Sequence, residues 1–107
     1  MLSQKVIDDA VQRIVKIAAN PLKVIMFGSY GRGDATKDSD LDLIVVEKNT
    51  PNHGEEIIRL NDAIGALGVE VDLLVYSEAD FELRRNWCTT PVYWAVREGK
   101  VLYDSKA

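Results

Sequence analysis

Three aspartates and one glycine–serine pair are the residues of this chain whose types and spacing could do chemistry. Gly28 and Ser29 are followed by Asp40 and Asp42, and further along the chain by Asp72. Hard divalent cations bind carboxylate oxygens, and Mg²⁺ is usually held by one or two carboxylates together with substrate phosphates. The pattern therefore predicts a metal-dependent enzyme that acts on a nucleoside triphosphate.

The geometry of a β-strand would bring the three carboxylates together. Asp40 and Asp42 project to one face because alternate residues of a strand point the same way. Asp72 lies within a second apolar run, and if the two strands are neighbours, all three side chains crowd one spot. Like charges that close resist joint ionisation, and bound dications reverse that balance. Two cations roughly 3.5–4 Å apart can clamp both oxygens of an in-line displacement, so we expect a two-metal phosphoryl-transfer site. The alternative is three solvated surface charges.

The glycine–serine pair is suited to binding phosphate. Gly28 lets the backbone approach a ligand closely, because it has no Cβ. Ser29 offers a hydroxyl and an amide, and a helical turn starting there would favour an anion. Arg32 would lie on the same side of that turn, and its planar guanidinium can donate two hydrogen bonds to a phosphate. The alternative is that Arg32 is an exposed loop residue. The segment is not a P-loop, since Asp34 and Ala35 stand where Lys and Ser or Thr are required.

Hydrophobic periodicity and turn residues predict the elements that position these side chains. Helices are predicted over residues 3–19, 55–67, 78–85 and 91–98, and strands over 22–27, 40–47, 69–76 and 100–104. Ser3, Ser77 and Thr90 are the predicted helix caps. Three or four strands interleaved with helices indicate a small layered α/β-type structure in one domain, residues 1–107.

The bulk composition restricts the function classes. The chain has 107 residues, of which 47% are hydrophobic and 28% charged, and a formal net charge of −4. This acidity argues against a general nucleic-acid binder but allows a nucleotide, because a metal can supply positive charge locally. No apolar stretch approaches the length of a membrane span and the N-terminus does not read as an export signal, so we expect a cytoplasmic protein with no membrane partner.

Four further residues are expected to have structural roles. Cys88 is the only cysteine, which excludes an internal disulfide, and it is expected to be a buried or half-buried filler. His53 is expected at a loop or helix start. Trp87 and Trp94 are expected in the core of so small a domain, with a partner-facing surface as the alternative.

Three segments together resemble the DNA polymerase β-like nucleotidyltransferase superfamily. They are residues 28–33 (GSYGRG), residues 40–43 (DLDL) and residues 71–73 (VDL). Within that superfamily the chain resembles the minimal nucleotidyltransferase (MNT) group of stand-alone catalytic domains. The resemblance implies an α+β, two-layer domain like the polymerase β palm, with a small mixed sheet and helices packed mainly on one face.

The resemblance also implies a role for each candidate residue. Asp40 and Asp42 would bind two Mg²⁺ ions, and Asp72 would complete the site of the metal that activates the attacking hydroxyl. ATP or another nucleoside triphosphate would be attacked at its α-phosphate, with release of pyrophosphate. The residues implied to hold the β- and γ-phosphates are Gly28 and Ser29, assisted by Arg32.

The resemblance further implies a partner. MNT proteins are often paired with a helical HEPN protein, and in toxin–antitoxin modules the MNT antitoxin AMPylates that ribonuclease, often on a tyrosine. The chain would then be a protein adenylyltransferase-like antitoxin that forms homo- or hetero-oligomers. One alternative is a non-catalytic or weakly catalytic binding module that neutralises a helical partner by occlusion. Another is transfer onto a small molecule or an RNA end, although the acidic charge disfavours long RNA.

Overall fold

The computed structural model describes residues 1–106 as an alternation of helices and strands. The helices are α1 (Gln4–Ile17), α2 (Gly28–Arg32), α3 (His53–Ile64), α4 (Glu78–Arg84) and α5 (Pro91–Glu98). The strands are β1 (Pro21–Phe27), β2 (Leu41–Glu47), β3 (Val71–Ser77) and β4 (Lys100–Asp104). Every predicted strand and helix is therefore present, and the predicted turn after β1 is the short helix α2.

The four strands form one mixed sheet in the order β3-β2-β1-β4. Strands β2 and β3 are parallel, whereas β1 is antiparallel to both β2 and β4. A parallel pair needs a crossover connection, which α3 supplies between β2 and β3. The mixed sheet confirms the predicted α+β class, and it places the first residues of β2 and β3 at the same end of the sheet.

Alternating side chains of β2 divide the interior into two clusters. Leu41, Leu43 and Val45 pack against the two long helices, α1 and α3. Ile44 and Val46 point to the opposite face, where they pack against the short helices α4 and α5. Asp42, the first residue of β2 on this second face, is only partly buried, so the face is more open at the end of the sheet where β2 begins.

The three predicted helix caps are confirmed. The Ser3 hydroxyl accepts from the amide of Val6 at 3.3 Å, and the Ser77 hydroxyl accepts from the amide of Asp80 at 3.2 Å. Thr90 caps α5 by accepting from the amide of Tyr93 at 3.4 Å. Each cap satisfies one of the amides that the first helical turn leaves without a partner.

Helix α3 is shorter than its periodicity predicted. It ends at Ile64, because Gly65 follows with a φ of 71° and ends the hydrogen-bonding pattern. Its start is set by Asn52, whose side chain accepts from the amide of Glu55 at 3.1 Å. His53 is the first residue of the helix and is exposed, as predicted. No helix within residues 1–106 is both long and apolar enough to cross a bilayer.

The expectation that both tryptophans are core residues is wrong. Trp87 is 50% exposed and Trp94 is 48% exposed. Cys88, expected as a buried filler, is also exposed. Trp87 and Cys88 lie in the connection from α4 to α5, and Trp94 lies in the first half of α5, so the described chain leaves about half of each indole uncovered.

Candidate active site

The sheet register places Asp42 beside Asp72. The two residues are paired across the parallel strands β2 and β3, so both side chains leave the sheet at the same level. Burial raises the pKa of Asp42 to about 6, assisted by the hydrogen bond and negative charge of Asp72 and by the charge of Asp40. The guanidinium of Arg32 acts in the opposite direction. Asp72, Asp40 and Arg32 therefore all lie close enough to Asp42 to change its pKa.

The turn at Gly28 lies directly against Asp42. Phe27 is the partner of Asp42 across β1 and β2, and the chain enters α2 at the next residue. A Cβ at Gly28 would overlap the Asp42 Oδ2 atom, and the φ of Gly28 is +65°. Only glycine satisfies both conditions without strain. The turn and the carboxylates, which are far apart in the sequence, therefore share one side of the molecule.

Helix α2 is fixed by contacts on both sides. The Tyr30 ring is buried, and its hydroxyl accepts from the amide of Leu2 at 3.0 Å. Gly31 packs so closely that a Cβ there would lie 2.7 Å from the carbonyl oxygen of Met26. This packing fixes the direction of the free amides at the start of α2 and the position of Ser29.

Arg32 is the last residue of α2, and its side chain is exposed. Its Nε atom lies 3.3 Å from the Asp34 Oδ2 atom, and the two side chains are 47% and 62% exposed. Such exposed pairs contribute little to stability, so a phosphate can replace Asp34 as the partner at small cost.

Asp40 was predicted as the first residue of a strand, but β2 begins at Leu41, so Asp40 lies immediately before the strand and is exposed. The preceding turn is closed by Ser39, whose hydroxyl accepts from the amide of Thr36 at 2.8 Å. Within residues 1–106 no three acidic, histidine or cysteine side chains are already arranged as a metal cluster. The donor set nonetheless fits Mg²⁺, because it consists of hard carboxylate oxygens beside the glycine turn at Gly28, and substrate phosphates usually supply further ligands.

A second acidic pair, which no sequence motif indicated, lies at the other end of β2. Ala19 donates its amide to Glu47 Oε2 and to Glu56 Oε2, each at 3.1 Å. Burial, followed by the hydrogen bond and charge of Glu56, raises the pKa of Glu47 to about 8. Burial also acts to raise the pKa of Glu56, but hydrogen bonds from Glu47, Ala19 and Arg59 outweigh it and lower that pKa. The only signal in the sequence is a glutamate that directly follows the apolar run of residues 43–46.

The chain is similar to nucleotidyl-transferring proteins over most of its length. Residues 5–90 match the family model described as a nucleotidyltransferase domain. A Methanocaldococcus jannaschii protein, provisionally named a protein adenylyltransferase, is 35% identical over 81 residues, which covers 76% of this chain and 77% of that protein.

Two solved structures share the fold. A toxin–antitoxin structure with AMP-PNP has a TM-score of 0.65 and 23% identity, covering 98% of this chain and 76% of that chain. A structure of the tri-AMPylated Shewanella oneidensis HEPN toxin in complex with MNT antitoxin has a TM-score of 0.60 and 21% identity, covering 97% of this chain and 75% of that chain.

Proposed function

This chain belongs to the nucleotidyltransferase domain family, as its motif predicted, and we propose that it transfers AMP from ATP to a protein hydroxyl. The observation that carries the proposal is the Asp42–Asp72 pair, which lies beside the Cβ-free turn at Gly28. A triphosphate bound at that turn brings its α-phosphate to the carboxylates. The protein name carried by the M. jannaschii relative supports the same donor.

The proposed reaction is a single in-line displacement. The acceptor oxygen forms a bond to the α-phosphorus, the bond from that phosphorus to the bridging oxygen breaks, and pyrophosphate leaves. The hydroxyl proton passes to the Asp72 carboxylate, which is exposed and therefore accessible to an acceptor. Ser29 and Arg32 hold the leaving phosphates at the start and end of α2.

Asp40, Asp42 and Asp72 are the residues that would hold two Mg²⁺ ions. Bound Mg²⁺ would offset the negative charge that develops on the phosphate oxygens. Burial and Asp72 raise the pKa of Asp42, so the protonation of this carboxyl would change when a cation binds. A nearby cation favours the ionised carboxylate, so substrate and metal binding would relieve the crowding of charge.

The acceptor we propose is a tyrosine of a HEPN-type helical toxin, which the chain would inactivate as its antitoxin. The fold shared with the structure of a tri-AMPylated HEPN toxin and MNT antitoxin supports this partner. The alternative is inhibition of the same partner by binding alone. The two differ in their dependence on the carboxylates, because occlusion does not need Asp42.

The test combines this chain with a HEPN-type helical toxin, Mg²⁺ and ATP labelled in the α-phosphate. We expect label on the partner, lost in Asp42→Asn and Asp72→Asn and retained in Asp38→Asn, an exposed carboxylate of the neighbouring loop. Absence of transfer from any nucleoside triphosphate, with toxicity still suppressed by Asp42→Asn, would overturn catalysis in favour of occlusion.

A further inference from the structure

A cleft opens between α2 and α5, directly beside the turn that is proposed to bind phosphate. Its volume is about 350 Å³. Two of its lining residues, Gly28 and Arg32, belong to the phosphate-binding segment, so the cleft is continuous with the candidate active site. The lining residues that matter here are Phe27, Gly28, Arg32, Thr90, Pro91 and Trp94.

Trp94 lines this cleft, and its side chain is half exposed but held in one orientation. Its indole Nε1–H donates to the carbonyl oxygen of Cys88 at 2.9 Å. Its ring also packs edge-to-face on Tyr93, with centroids 4.9 Å apart and planes at 77°. Tyr93 in turn carries the Arg97 guanidinium 3.6 Å from its ring centroid. The indole is therefore held in place by neighbours although much of its surface has no cover within the described chain.

We propose that this cleft binds the nucleobase of the donor nucleotide, with Trp94 as its stacking surface. The inference rests on the proposed function, since the nucleotide's phosphates must lie at Gly28 and Arg32. An exposed but immobilised indole loses little conformational entropy when a planar ring stacks on it. Stacking of a base on an aromatic side chain is favourable for every base, because each base has a π face.

Two polar groups of the cleft already form hydrogen bonds within the chain. The Trp94 N–H is already used by Cys88. The Thr90 hydroxyl lies within hydrogen-bonding distance of the carbonyl oxygens of Arg84 and Trp87, at 3.0 and 2.8 Å, and caps α5 as well. These two polar groups therefore do not read base edges. Stacking on Trp94 by itself ranks ATP and GTP together and above CTP, and Thr89 and Glu98 are the lining side chains left to contact a base edge.

The experiment separates the base from the phosphates by using two probes. Calorimetry measures the binding of ATP and of inorganic tripolyphosphate, each with Mg²⁺, to the full chain and to its variants. We expect Trp94→Ala to weaken ATP binding by about 5- to 100-fold and to leave tripolyphosphate binding unchanged. Trp94→Phe keeps an aromatic face and should restore most of the ATP affinity.

Trp87→Ala is the matched control, because Trp87 is 50% exposed but does not line the cleft. It should leave both affinities unchanged. An equal loss of ATP and tripolyphosphate binding in Trp94→Ala, or no loss of either, would overturn the nucleobase site. A more than 30-fold preference for ATP over GTP would overturn recognition by stacking alone. If the unmodified chain binds neither probe, the proposed function itself fails, and the base site fails with it.

Discussion

Asp42 and Gly28 are in direct contact across the start of the sheet: the space that a Cβ of Gly28 would fill is occupied by the Asp42 carboxylate. This contact joins the two halves of the sequence motif, one of which supplies carboxylates and the other the turn that we propose binds phosphate. It also determines how each half should respond to substitution.

Gly28→Ala should lower the rate of transfer by about 100-fold or more, because the added Cβ displaces the Asp42 carboxylate. It should also cost about 1 kcal/mol or more of stability, since alanine is strained at a φ of +65°. Gly33→Ala is the matched control, with a φ of +84° and no atom within 4 Å of the added Cβ. The control should lose comparable stability while keeping transfer activity. Equal activity in the two variants would contradict the contact.

Asp42→Asn should stabilise the metal-free protein at pH 8 while abolishing transfer. The folded-state pKa of Asp42 is about 6, above its unfolded value of 3.8, so the folded state holds a proton that the unfolded state releases. Ionisation of Asp42 therefore costs stability as the pH rises from 3.8 to 6, and asparagine avoids that cost. Urea unfolding without Mg²⁺ should show a gain on the order of 1 kcal/mol at pH 8 and none near pH 4. A gain independent of pH would rule out this explanation.

Glu47→Gln should change the pH dependence of stability rather than activity. The folded-state pKa of Glu47 is about 8 against an ordinary value of 4.5, so wild-type stability falls as the pH rises through that range. Glutamine stays neutral and can still donate to Glu56. The variant should therefore gain on the order of 1–3 kcal/mol relative to wild type between pH 5 and pH 8, measured by urea unfolding. Glu55→Gln removes an exposed carboxylate of α3, the helix that carries Glu56, and should show no such trend.

Arg32→Ala should raise the KM for ATP by about 10- to 100-fold, the range expected for a hydrogen bond to a charged group. Its present partner, Asp34, is an exposed carboxylate that a phosphate can replace. Steady-state kinetics should show a smaller change in kcat than in KM. Arg85→Ala removes a comparable surface arginine, which follows α4 and is paired with Glu82 at 3.0 Å, and should leave both constants unchanged.

Much of the fold was predictable because the signals are local. A side-chain hydroxyl before a helix caps it wherever the helix lies, so Ser3, Ser77 and Thr90 were identified correctly. Alternation along β2 separates Asp42 from Leu41 and Leu43 by backbone geometry alone. The family was also predictable, because its motif is a spacing of residue types within one chain.

Exposure was not predictable in the same way. Tryptophan is a residue type expected in the core of a small domain. The exposure of Trp87 and Trp94 depends instead on how far α4 and α5 extend over the sheet. The acidic pair of Glu47 and Glu56 likewise forms only because the end of β2 packs beside α3. Such contacts join segments whose separation in sequence carries no information about distance.

The sequence by itself determined the residue types of the site, the elements that carry them and the nucleotidyltransferase family. Only the tertiary structure decided that Asp42 lies opposite Asp72, that Gly28 accommodates the Asp42 carboxylate and that Trp94 lines a cleft beside both. The reason is physical: periodicity and capping depend on the backbone of one segment. Strand register and cleft shape depend instead on how side chains from distant segments pack against one another.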